Sequence, residues 1–228
     1  MKIIPFLFIF LLLCCTKEND NAVYTPFPDS VAYWLYICNF NCSGAGQICW
    51  NDYILYKQEG DTILNNKKYH KIYSIWLKDS WPMYGSKDTS LFEINLCGYQ
   101  DYYNLEGFIR QDIADKKVYY QGLEETSETL LYDFNINEGD TLPYNYIFKT
   151  NRITITSIDM MNISGHIHKT YSIDIFTSNP EVYKIIEGIG TNRELFKSCG
   201  SMSILLFFKN DKIVYVKPET KIKFLCDK

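Results

Sequence analysis

The chain carries almost none of the short motifs by which enzymes announce themselves. There is no Gly-x-Ser-x-Gly elbow, no His-Glu-x-x-His, no P-loop and no Gly-x-Gly-x-x-Gly, so the geometries that serve nucleophilic, zinc and nucleotide chemistry have no sequence signature here. Gly44-Ala45-Gly46 and Gly188-Ile189-Gly190 each lack a third glycine and a following helix, and read as turns. Basic residues are scattered through a chain of net charge −4, which excludes a nucleic-acid footprint. No segment keeps a helical period for the length of a helix. No apolar run reaches the roughly 20 residues that cross a bilayer as a helix.

What is abundant is aromatic. Nineteen Tyr and fourteen Phe, with many Ile and Thr, favour strands. Strands are expected over 30–38 and 48–57, joined by the Gly-containing turn 41–46. Thr62-Ile63-Leu64 leads through Asn65-Asn66, a dipeptide suited to a primed turn, into 67–77. Residues 81–100 are less regular and read as a long connection with one short strand. Hairpin arms follow at 108–112 and 116–121, around Ala114-Asp115, and a further strand at 128–134. Arms at 152–159 and 166–176 flank Ser164-Gly165; 182–187 precedes Gly188; 204–209 and 212–217 close on Asn210-Asp211. The expected fold is all-β and mostly antiparallel, a β-sandwich or irregular β-barrel. Two related halves, 31–140 and 141–228, are suggested by matching turns such as Asp115-Lys116 with Val118-Tyr119 and Asp211-Lys212 with Val214-Tyr215.

The N-terminus predicts location. Met1-Lys2 precedes an apolar run from Ile3 to Leu13 that ends at Cys14-Cys15 and turns abruptly polar at Thr16-Lys17-Glu18-Asn19-Asp20. This has the layout of a lipoprotein signal: residues 1–14 form the cleaved segment, Cys15 is the lipidated residue because the position before the cut cannot be bulky, and 15–30 form the anchor and tether. More than one acyl chain on Cys15 gives firm attachment. The expected location is the outer membrane, facing the cell surface or the periplasm. Cys38, Cys42, Cys49, Cys97, Cys199 and Cys226 remain in the body. An even number in an exported chain reads as disulfides, with connectivity left open. Their spacings lack the second matched pair of a zinc site.

Candidate chemistry is thin. His166-Ile167-His168 places two imidazoles on one face at strand spacing, with His70 the third ligand suggested by the repeat; three or four convergent ligands are needed, so no metal and no cofactor is expected. Glu124, Glu125 and Glu128 read as a solvated loop. Asp29-Ser30-Val31, Asp61-Thr62-Ile63 and Asp140-Thr141-Leu142 fit an O-glycosylation pattern but are better explained by turn chemistry. Trp34, Trp50, Trp76 and Trp81 have the shape to stack on sugars, although such residues usually fill cores. The best binding candidates are Trp81, Tyr99, Tyr102 and Tyr103, since the Tyr-rich run lies on an expected loop.

Several segments occur in a suggestive order: Leu130-Leu131-Tyr132-Asp133-Phe134, Gly139-Asp140-Thr141, Thr156-Ser157-Ile158-Asp159, Ile186-Glu187-Gly188-Ile189-Gly190 and Lys209-Asn210-Asp211-Lys212 before Val214-Tyr215. Together they resemble a β-rich module of unknown function from exported proteins of the Bacteroidetes. The resemblance spans most of 50–226 and implies export and a β fold, but no reaction. Many relatives carry a C-terminal sorting domain for type IX secretion; here no such domain is read before Lys228, in keeping with a lipid anchor. The expected role is a non-enzymatic lipoprotein that binds an envelope protein or glycan, with no nucleic-acid partner. The alternatives are a carrier enclosing an apolar small molecule in a curled sheet, and a hydrolase with a loop-built site.

Overall fold

The computed structural model describes residues 24–39, 51–77, 91–94, 103–142, 153–174, 183–192, 195, 201–209, 212–216 and 221–224. Among these there are fifteen strands and no helix. In chain order they are β1 (Ala32–Asn39), β2 (Asn51–Leu64), β3 (Lys67–Leu77), β4 (Leu91–Ile94), β5 (Asn104–Asp112), β6 (Lys117–Gly122), β7 (Thr129–Asp133), β8 (Thr141–Leu142), β9 (Ile153–Ile163), β10 (His166–Asp174), β11 (Tyr183–Ile186), β12 (Gly190–Thr191), β13 (Ser201–Lys209), β14 (Lys212–Val216) and β15 (Lys221–Phe224).

The protein is all-β, built on two curled antiparallel sheets. The larger runs β14-β13-β1-β2-β3-β5-β6-β7 and the smaller β12-β11-β10-β9-β8, while β4 and β15 form a separate parallel pair. β13 and β14 join the larger sheet through β1, so that sheet draws strands from both sides of residue 140 and the sheets do not divide where the expected halves do.

Turn chemistry explains the hairpins. Asn65 and Asn66 have φ of 49° and 60°, and Ser164 and Gly165 have 50° and 84°. Positive φ at both central residues is the primed turn whose twist matches paired strands. The break expected after residue 57 does not end the strand. Between Gln58 and Asp61 the register with β3 slips at a bulge, and Gly60 absorbs it at φ 75°.

One core serves both sheets. From the larger come Ala32, Trp34, Tyr36, Ile54, Tyr56, Ile72, Ile109, Val118, Tyr120 and Tyr132; from the smaller come Ile153, Ile155, Tyr171, Ile173, Ile185 and Ile186. Strand alternation puts every second residue of β1 and β2 into it. Side-chain hydrogen bonds tie the sheets across the core and its rim. Trp34 Nε1 donates to the Ile189 carbonyl (2.7 Å), Tyr36 Oη to that of Thr191 (3.2 Å), Tyr171 Oη to that of Phe134 (2.9 Å) and Ser164 Oγ to that of Val214 (2.7 Å).

The polar stretch read as tether does not stay outside. From Tyr24 onward it is packed on the body, and Phe27 is 2% exposed. Phe27 stacks on Trp34 with centroids 5.5 Å apart and tilts against Tyr132 at 5.9 Å. Gln58 Nε2 holds the carbonyls of Pro28 and Ser30 at 2.8 and 3.0 Å. Residues 24–30 form a strap whose buried Phe27 outweighs its polar composition, because one buried Phe contributes about 1.5–3 kcal/mol.

Candidate functional site

The face of the larger sheet turned away from the shared core is also apolar. Leu35, Leu55 and Ile75 stand in one cross-strand row and are all buried, though none belongs to the core cluster. The next row is Tyr33, Lys57, Tyr73 and Leu105. Beside it, Tyr103 immediately precedes β5. The Lys57 ammonium stands over two rings, 5.8 Å from the centroid of Tyr33 and 5.4 Å from that of Tyr103, and pairs with Glu59. Partial burial, with Tyr33 and Glu59 nearby, pushes the Tyr103 hydroxyl up to about 12. Each ring is half-buried, with part of its surface in solvent.

Tyr103 is thus the one expected binding residue whose surroundings are described, and it stands beside an aromatic and a cationic partner. Tyr33 and Lys57 escaped sequence reading because they reach Tyr103 only through sheet order, with β3 between β2 and β5. Trp81, Tyr99 and Tyr102 lie outside the described residues, as do Cys15, Cys42, Cys49, Cys97, Cys199 and Cys226. Cys38 lies in β1, where the backbone register sets it opposite Asp52 and Met202.

A second cluster sits further along the same face. The Glu128 carboxylate receives Nε and Nη2 of Arg110 at 2.9 and 2.7 Å, Nζ of Lys67 at 2.7 Å, and the Tyr69 hydroxyl. The Arg110 guanidinium also lies 4.4 Å from the Tyr119 ring centroid. Burial works to raise the Glu128 carboxyl, but the donated hydrogen bonds of Arg110, Lys67 and Tyr69 outweigh it and hold the group at about 2. This corrects the reading of Glu128 as solvated: it is the hub of a fork-shaped ion pair. Its four donors come from two strands, β3 and β5, which no local pattern could reveal.

The third group is buried. Glu187 is 2% exposed, and its carboxylate accepts hydrogen bonds from the backbone N–H groups of Thr25 in the strap and Lys169 in β10. Burial nonetheless raises its pKa, and the nearby charge together with burial raises those of Tyr24 and Tyr171. His168 Nδ1 donates to the Glu187 carbonyl at 2.8 Å, and burial lowers the His168 pKa. Gly188 follows at φ 77°, so close to the strap that an added Cβ would lie 2.7 Å from Thr25 Cγ2. Glu187-Gly188 is therefore the socket of the strap.

The histidines part ways. His166 is exposed, His168 is buried, and His70 Nδ1 is held 2.7 Å from Asp61 Oδ1. Among the described residues no three His, Cys, Asp or Glu side chains converge as metal ligands. Of the three Asp-Ser/Thr triplets, Asp140 makes turn contacts, accepting the Asn137 N–H at 2.7 Å; Asp61 pairs with Lys68 and His70; Asp29 pairs with Lys209. No helix among the described residues is long and apolar enough to cross a membrane. No protein-family model, curated protein or solved structure matches this chain.

Proposed function

We propose that this protein is an envelope lipoprotein, held at the outer membrane through Cys15, and that it binds a glycan or an envelope protein without catalysing a reaction. The observation that carries the binding reading is the outer face at Tyr33, Lys57 and Tyr103, where two half-exposed rings share one ammonium. Aromatic rings offer flat apolar area for a sugar ring or a proline, and the Lys57–Glu59 pair offers polar contacts beside it. The non-enzymatic reading is supported by the engagement of the two glutamates with displaced pKa values. Glu128 is occupied by Arg110, Lys67 and Tyr69, and Glu187 by the strap. The lipoprotein reading rests on the signal-like N-terminus and on the resemblance to exported Bacteroidetes proteins.

The test is binding to arrayed envelope glycans and to envelope proteins by the intact protein and by Tyr103→Ala. A ligand whose affinity falls about tenfold or more in Tyr103→Ala, the loss of one buried aromatic contact, supports the assignment. A ligand bound equally well by both places recognition elsewhere.

A second reading, carriage of an apolar small molecule, is favoured by the buried row Leu35, Leu55 and Ile75 on the face opposite the core. Native mass spectrometry of the intact protein decides between the two. A retained small-molecule mass lost on denaturation brings the carrier forward, and a bare polypeptide mass favours the binding module.

A further inference from the structure

Register places several features at one end of the larger sheet. β3 begins at Lys67 after the Asn65-Asn66 turn, and His70 lies opposite Ile109, so the β2–β3 turn and the β5–β6 turn at 113–116 are neighbours. The same registers carry these hairpins beyond the start of β1, whose Ala32 is level with Gln58 and Ile72. Along that overhang runs the strap. The Tyr24 ring lies 5.7 Å from Lys116 Nζ, and Tyr24 Oη accepts from Gln111 Nε2 at 3.2 Å. The chain therefore enters the folded body beside the tip of the β5–β6 hairpin.

Two of the most exposed large apolar residues stand at these tips: Ile63 is 73% and Ile113 is 66% exposed. Ile63 is opposite Lys68, and carrying the β3–β5 register to the strand ends sets Lys68 opposite Gln111, two residues before Ile113. Residues 63, 68 and 111 thus share one face, on strands spaced about 5 Å apart, and Ile113 opens the turn at the same end. Eight residues, 16–23, separate Cys15 from Tyr24, and a chain of that length reaches at most about 30 Å.

We propose that this end of the sandwich docks on the lipid surface, with Ile63 and Ile113 inserted at the headgroup–acyl boundary. The proposal rests on the reading of Cys15 as a lipid anchor. The occupant follows from where the chain comes from: a body held on a tether this short, entering at these tips, presents the tips to the bilayer. Apolar insertion rather than charge drives the contact. Lys67, Lys68, Arg110, Lys116 and Lys117 are balanced by Asp61, Asp112, Asp115, Glu128 and Asp133, largely in pairs already formed. Insertion of two isoleucines is weak alone, but the tether supplies a high local concentration. The binding face at Tyr103 stands on strands that run away from these tips, and so remains open to the space beyond the membrane.

The test uses the full chain, purified from an exporting bacterial host and reconstituted into phosphatidylethanolamine–phosphatidylglycerol vesicles containing brominated phosphatidylcholine. Quenching is read as the increment over the parent protein in Ile63→Trp, Ile113→Trp and, as the remote control, Leu123→Trp, which lies about 20 Å away at the other end of β6. The expected result is several-fold stronger quenching for the first two than for the control, insensitive to added salt. Protein that floats with the vesicles but shows equal, weak quenching at all three positions overturns the docking and leaves the anchor intact. Protein that does not float overturns the anchor, and the docking with it. Quenching abolished by salt overturns the apolar basis of the contact.

Discussion

Phe27 and Trp34 stack with planes 16° apart, and through them the strap joins a continuous train of rings. Trp34 meets Phe207 at 5.2 Å; Phe27 meets Tyr132, which meets Phe134 at 5.8 Å, and Phe134 meets Tyr171 at 5.9 Å. The train runs from β13 in one sheet to β10 in the other, with a residue of the N-terminal strap at its centre.

Removing that central ring leaves a cavity between sheets that cannot collapse without moving both. Phe27→Ala is expected to destabilise the fold by about 3–5 kcal/mol, measured by denaturant unfolding of the intact protein. A loss under about 1 kcal/mol would mean that the strap merely rests on the surface.

Gly188→Ala tests the socket without touching the ring. The substitution meets a backbone at φ 77° and a Cβ contact of 2.7 Å with Thr25 Cγ2, with the Thr25 and Pro26 carbonyls at 3.1 and 3.2 Å. A cost of about 1–3 kcal/mol is expected from the strained φ alone. Because the strap must shift, its peptide bonds near Thr25 should become sensitive to limited proteolysis at protein concentrations where the parent resists. Unchanged resistance would separate Gly188 from the strap.

The carboxylates Glu128 and Glu187 should respond to pH in opposite directions. Glu128 is held at about 2 in the fold against an ordinary 4.5, so its stabilisation is present above 4.5 and is lost as pH falls through 2. Glu128→Gln should therefore lower the melting temperature at neutral pH, and the gap to the parent should close in strong acid. A gap independent of pH would make the effect one of shape rather than charge.

Glu187 is raised in the fold, so its protonated form favours the native state. That contribution is present below the unfolded value near 4.5 and lost as pH rises through the folded one. Glu187→Gln mimics the protonated acid, so the stability of this variant relative to the parent should improve as pH rises from about 4 to 8. Lys169 and Lys116 favour the ionised form, while burial disfavours it; Tyr24 and Tyr171 also lie near. A variant that loses ground with rising pH would show that the backbone donors of Thr25 and Lys169 dominate over burial.

Much of the fold is written locally. Asn65-Asn66 and Ser164-Gly165 specify hairpins because Asn and Gly accept positive φ, and alternation in β1 and β2 specifies which residues enter the core. Most of what local reading misses is contact between residues far apart in the chain. Residues 24–30 look like a tether until Trp34, Tyr132 and Glu187 are placed around them. Glu128 looks solvated until sheet order brings Arg110 and Lys67 to it. Gln58 to Asp61 looks like a break because a bulge and a strand end share the same polar, Gly-containing composition. At the candidate site Tyr103 was visible from its loop position, whereas Lys57 and Tyr33 required the pairing of β1, β2 and β3.

The strap also decides how the protein bears tension. A pull on the residues before Tyr24 is not delivered to an edge strand, where ladder bonds would open one after another like a zipper. It is delivered through the residue that wedges Trp34 against Tyr132, and to two carbonyls gripped by Gln58. The contacts of Tyr24 and Thr25 meet the load first and Phe27 lies behind them, so complete extraction from the N-terminal side should require a high-force event that opens the core.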